Sequence, residues 1–290
     1  MENLFEKGCL VQLSTSVWGA TRKINPCQLT DVVSSKDWLS ASKKLVDPDA
    51  LKPIKKVVNK SRSYLAAVSL PFPINGLVFV PKEMISTVDG RLNELKNDFH
   101  QAVERFIQNY DGLRETAISC LGVLFSETDY PVDIGSKFSF VWRFVILDVP
   151  NGNTALLAPE VYEREKRKFV QTMEQARELA IQSLRSEFAG IIDRITERFT
   201  TGPNGKPKVF KNATVDNFHE FFETFKGRNI FRDAELSELV EKANAILGGH
   251  SANAIRSNDQ LKAQIHNDMK GVETAMAEIF ERPRRKIVLD

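Results

Sequence analysis

Cysteine is scarce and irregularly placed: Cys9, Cys27 and Cys120 are the only three, and none belongs to a CxxC pair. That excludes a disulfide framework and a cysteine-built zinc site, and it suits a reducing compartment. Long apolar runs are lacking as well. The longest, such as residues 144–147, falls far short of the roughly 20 residues that cross a bilayer. Residues 1–7 place no basic segment ahead of an apolar stretch, so no secretory signal is expected. The expectation is a soluble, cytoplasmic protein with no membrane partner. An excess of one charge is also missing: 40 basic and 38 acidic residues leave a net +2. Nucleic-acid binding by the whole surface is therefore not implied, and any such role needs a local patch. No Ser, Cys or Thr stands in a nucleophile-elbow context, and no Asp/Glu pair lies in a recognisable acid/base motif. No cofactor is expected.

What is present is enough apolar material for a core. At 290 residues, 42% hydrophobic and 27% charged, the chain suits one large domain or two modest ones. Residues 10–18 mix β-branched and apolar side chains and read as a strand, with a turn near Asn25-Pro26. Asp47-Pro48-Asp49 is a helix start, Asp47 as cap and Pro48 in first position, for a helix expected to reach about Arg62. Residues 63–70 read as extended. The turn Pro71-Phe72-Pro73-Ile74-Asn75-Gly76 leads into a short strand at 77–80, and the two strands suit a hairpin.

The clearest pattern follows. Ile85, Val88, Leu92, Leu95, Phe99, Val103, Phe106, Tyr110, Leu113 and Ala117 recur at spacings of three and four and predict one continuous helix. Residues 137–147 alternate and then turn apolar, which predicts a strand ending at Pro150-Asn151-Gly152. A second long helix is expected from Pro159, with Tyr162, Phe169, Met173, Ala176, Ala180, Leu184, Phe188, Ile191 and Ile195 as its stripe. Residues 200–208 are rich in Gly, Pro and Lys and read as a linker. Shorter helices are expected at 215–225, 234–247 and 258–280, before the basic tail Arg282-Pro283-Arg284-Arg285-Lys286. The fold class is accordingly α+β and predominantly α: two long amphipathic helices packed as an antiparallel, coiled-coil-like pair, with a small antiparallel β-sheet and a C-terminal helical segment. Residues 1–200 form the α+β domain, and 201–290 the C-terminal helical region.

Each candidate site has a plainer reading beside it. The segment from Gly202 to Pro207 resembles a phosphate loop only superficially, because its glycines are too close and Pro follows the Lys. His219 and Glu223 lie one helical turn apart and suit two metal ligands, but no third is spaced to join them. Surface residues on an amphipathic helix are the better reading. His100, His250 and His266 are scattered. Lys43, Lys44, Lys52, Lys55, Lys56, Lys60 and Arg62, set against Asp47 and Asp49, leave an excess of five positive charges over residues 43–62. Lys52, Lys56 and Lys60 align at i, i+4 and i+8, which suits either a phosphate backbone or a solvated helix face. Trp18, Arg22 and Lys23 form either a contact surface or a core aromatic beside edge-protecting charges. Leu92, Phe99, Phe106, Tyr110, Phe169, Met173 and Phe188 are the expected interaction faces of the long helices. The flanks of such a pair (Ile118 with Leu121, Val170 with Leu179) call for a third element or for self-association.

One combination is similar to a known family. It comprises Ser16-Val17-Trp18-Gly19-Ala20-Thr21-Arg22-Lys23, the helix start Lys44-Leu45-Val46-Asp47-Pro48, an apolar strand closed by Pro81, a long helix with Phe99, Phe106 and Tyr110-Asp111, and the Phe138-Ser139-Phe140 strand. In this order the elements resemble an uncharacterised prokaryotic and phage domain of unknown function, over about residues 5–200 and thinning towards the C-terminus. The resemblance implies company on phages and mobile elements, beside a MoxR-like AAA+ ATPase and a VWA-domain protein, and it carries no catalytic residues. The expected function is a non-enzymatic, self-associating scaffold or adaptor for those two partners. The alternative is a nucleic-acid-binding accessory protein using residues 43–62, and a third reading is a metal-dependent enzyme around His219 and Glu223.

Overall fold

The computed structural model describes residues 4–24, 40–147, 158–200, 208 and 210–281. The turn expected at Asn25-Pro26, the strand end at Pro150-Asn151-Gly152, the Gly202–Gly205 part of the linker and the basic tail lie outside the described residues. The fold is α+β and mostly helical, with a small antiparallel sheet. Among the described residues no helix is long and apolar enough to cross a membrane. Two compact units share the chain: unit one takes Met1–Leu10, Ala67–Ile85 and Ile146–Asp290, and unit two takes Val11–Ala66 and Ser86–Val145.

Unit two contains most of strand β1 (Gly8–Ser16), the ribbon β2 (Thr21–Lys23) and β3 (Ser42–Lys44), helix α1 (Lys52–Val68) up to Ala66, and strand β6 (Ser139–Val145). Between α1 and β6 run helices α2 (Ile85–Gln108) and α3 (Tyr110–Leu121). Asp47 caps a 3-10 turn, Pro48–Leu51, that leads into α1, its carboxylate accepting from the Asp49 amide at 2.9 Å. The helix outruns the expected end, however. Ser61, Leu65 and Val68 continue the buried stripe of Ile54 and Val58, so residues 63–68 are helical rather than extended.

The single helix expected over residues 85–117 is two. At Asn109 the side-chain amide donates to the Arg105 carbonyl at 2.8 Å, the group its own backbone N–H takes in an α-helix. The backbone N–H turns to Phe106 instead, at 3.2 Å, and α3 begins afresh. The stripe of α2 is fully covered. Phe99 lies 5.5 Å from Phe140 and Phe106 5.5 Å from Phe138, ring centre to ring centre, so β6 and its lead-in residue supply the other side of this core. Aromatic pairs of this kind add about 0.5–1.5 kcal/mol beyond their buried area.

Unit one contains the start of β1, the hairpin of β4 (Leu70–Pro71) and β5 (Val78–Pro81), and helices α4 (Pro159–Glu197), α5 (Asn212–Arg228), α6 (Ala234–Leu247), α7 (Ala252–Ser257) and α8 (Asp259–Glu281). The hairpin pairs Leu70 with Phe79 and Pro71 with Val78, and Gly76 at φ +82° makes its turn. Strand β1 reaches β5 so closely that a Cβ on Gly8 would stand 2.2 Å from the Val80 carbonyl oxygen. Helix α4 packs on α5, α8 and β4, and α6 packs on α8. The short α7 has no counterpart in the sequence reading. Ser251 caps it by accepting from the Ala254 amide.

Candidate functional site

The two halves of α4 differ in what covers them. From Ala176 onward its stripe is buried, through Ala180, Leu184, Phe188, Ile191 and Ile195, and Phe188 stacks on Phe221 of α5 at 5.6 Å. Before Ala176 no residue of the helix is buried. Yet Tyr162, Phe169 and Met173 sit on the same helical face as Ala176 and Ala180, and each is half-buried. Residues 159–175 therefore carry the stripe about 25 Å beyond the elements that cover it. Of the seven expected interaction residues, Leu92, Phe99, Phe106, Tyr110 and Phe188 are core, whereas Phe169 and Met173 remain half-exposed.

Around the covered half, charge is held tightly. Arg228 is only 2% exposed, yet it donates to both carboxylate oxygens of Glu187 at 2.7 and 3.2 Å and to the Thr224 hydroxyl at 3.0 Å. Its Nε has no partner, and its guanidinium lies 5.3 Å from the Phe221 ring centre. Arg185 makes a second bidentate pair with Asp233 at 2.6 and 3.0 Å, which pushes its guanidinium pKa further up. Sequence reasoning missed both arginines. Their only signal is a charged residue at a position where the helix turns inward.

The basic segment is arranged differently. Lys52, Lys55, Lys56, Lys60 and Arg62 are all exposed on α1. Asp49 accepts from Lys52 at 2.7 Å and, by hydrogen bond and charge, holds its ammonium pKa above the usual value. Arg62 donates to the Thr15 hydroxyl at 3.1 Å. No described carboxylate pairs with Lys55, Lys56 or Lys60. On the ribbon, Arg22 stands opposite Lys43, so both project from one face. Asp129 meets both, at 3.8 and 2.5 Å, and Lys43 also donates to the Leu124 carbonyl. Lys23 and Lys44 occupy the other face and are exposed.

Trp18 is half-buried against Tyr110 and Phe106, at 5.8 and 6.2 Å. With Arg22, Asp129, Tyr130 and Lys137 it lines a cleft of about 390 Å³. The Tyr130 hydroxyl donates to the Leu45 carbonyl at 2.7 Å, and burial pushes the phenols of Tyr110 and Tyr130 up from their ordinary pKa. His219, one turn before Glu223 on α5, lines an open cleft of about 380 Å³ with Asp216 and His250, and Glu223 does not line it. Among the described residues no three His, Cys, Asp or Glu side chains come together to hold a metal ion.

Residues 5–199 match the family described as Protein of unknown function (DUF3150), and the chain belongs to that family. No curated protein and no solved structure matches it.

Proposed function

We propose, with membership in this family as the premise, that the chain is a non-enzymatic interaction protein. It self-associates through the overhanging half of α4 and serves as an adaptor for a MoxR-like AAA+ ATPase and its VWA-domain partner, on a phage or other mobile element. The observation that carries the reading is the stripe of Tyr162, Phe169 and Met173, which continues past the elements covering the rest of the helix. A second copy fits it by charge: Glu160 and Glu163 lie ahead of Lys166, Arg167 and Lys168, with Arg164 and Glu165 between them as a local pair, an order that an antiparallel copy meets largely with opposite sign. On this reading the first halves of two α4 helices, one from each copy, pack antiparallel in a coiled-coil-like way. The ATPase and VWA partners follow from the family resemblance.

Sedimentation analysis of the full chain tests the self-association. The expected result is a dimer that becomes monomeric in the Phe169→Asp/Met173→Asp variant with its circular dichroism unchanged. A monomeric wild type, or a variant that still assembles, overturns it. Capture of a tagged chain from its host, with and without nuclease, tests the adaptor role: an AAA+ ATPase retained in both cases supports it, and its absence from both counts against it.

A further inference from the structure

We propose that the outer face of α1 is a docking surface for duplex nucleic acid, held through the phosphate backbone and indifferent to base sequence. The inference goes beyond the adaptor reading and stands on separate residues.

Successive helical residues turn by about 100°, so Lys52, Lys56, Asn59, Lys60 and Ser63 gather on the side opposite buried Ile54, Val58, Ser61 and Leu65. Lys55 and Arg62 flank that side. The helix contains no Asp or Glu at all, and the acid nearest in sequence, Asp49, engages Lys52 alone. The contrast with the ribbon of the same unit is informative. There Asp129 ties down Arg22 and Lys43, whereas no described carboxylate faces Lys55, Lys56 or Lys60. Four exposed ammonium groups on one helix repel one another, and a polyanion that displaces its counterions onto them relieves that repulsion.

The chemistry of the face selects among polyanions. A membrane-surface helix needs an apolar side to sink into the bilayer, but the apolar side of α1 is already spent on the protein core. Single strands are held largely by aromatic stacking, and the outer face carries no aromatic ring. Between the lysines lie Asn59 and Ser63, short polar groups of the kind that hydrogen-bond phosphate and sugar, and the one ring at the edge of the face, Tyr64, is half-buried. From Lys52 to Lys60 the face spans about 12 Å, the axial length of three to four base pairs.

Fluorescence anisotropy of the full chain with a short labelled DNA duplex, across about 50 to 200 mM salt, tests this. The expected plot of log K against log salt falls with a slope of about −3, from three to four phosphate contacts. Lys52→Glu/Lys56→Glu/Lys60→Glu should weaken binding at least tenfold and flatten the slope, and the corresponding triple Gln variant should fall between. All three substitutions lie on the exposed side, and circular dichroism checks that the helix is kept. The proposal is overturned by no binding, by a triple Glu variant that binds like wild type, by tighter binding to the single strand of the same sequence, or by phosphatidylserine vesicles that bind more tightly than the duplex and lose binding in the same variant.

Discussion

Arg228 and Lys56 are both basic residues on amphipathic helices, and the molecule treats them in opposite ways. Arg228 is withdrawn from water and matched by a carboxylate, a hydroxyl and an aromatic face. Lys56 is exposed, one of a row on a helix that contains no acid. A buried cation is a structural commitment, because its desolvation is offset only while every partner is in place. An exposed row contributes almost nothing to stability, and its self-repulsion is a small cost left for something outside the chain to remove. The difference separates charges that hold the fold together from charges left on its surface without a described carboxylate.

The comparison can be tested from its stronger side. Glu187→Ala leaves the Arg228 charge buried without its carboxylate and should cost about 3–5 kcal/mol, read as a lower denaturant midpoint. Replacing both members by apolar residues of similar volume should recover most of that loss. An undiminished midpoint in the single variant would mean that water reaches Arg228 and that the pair does not hold α4 to α5.

A smaller effect is expected from pH and falls on unit two, which holds Tyr64, Tyr110 and Tyr130. Burial raises all three phenols above the ordinary value of 10.0. The folded chain therefore keeps these protons to higher pH than the unfolded chain. The associated stability is fully present below about pH 10 and is lost as pH climbs through the folded values. Denaturation at pH 8 and at pH 11 should show the loss, and Tyr130→Phe should reduce it. Least affected should be the stability of Lys52→Glu/Lys56→Glu/Lys60→Glu, whose melting should stay within about 0.5 kcal/mol of wild type for each substitution. A large drop would show that these lysines have structural partners.

Much of the fold was legible in periodicity. The bounds expected for α6 are those observed, the start of α4 at Pro159 is observed, and the hairpin after Leu70 forms as expected. The misreadings have local causes. Residues 63–68 lead into the Pro71 turn and so read as extended, but Leu65, Ala66 and Ala67 favour a helix and Leu65 and Val68 continue its buried stripe. The break at Asn109 leaves the apolar stripe uninterrupted, because it arises from one side-chain amide competing for one carbonyl. At the level of the site, the row on α1 was readable because exposure requires no partner. The Glu187–Arg228 pair was not, since its members are 41 residues apart and only tertiary packing brings them together.

The division of the chain also bears on how it folds during synthesis. Every segment of unit two has been made once residue 145 is joined, whereas unit one then has only Met1–Leu10 and Ala67–Ile85 and waits for the stretch that begins at Ile146. At roughly 5–20 residues per second, residues 146–290 take about 7–30 seconds more to make, and until then the strand start at Gly8 lacks its full unit. The start of β1 thus has its β5 neighbour, Val78–Pro81, while the helices that complete its unit are still to be made.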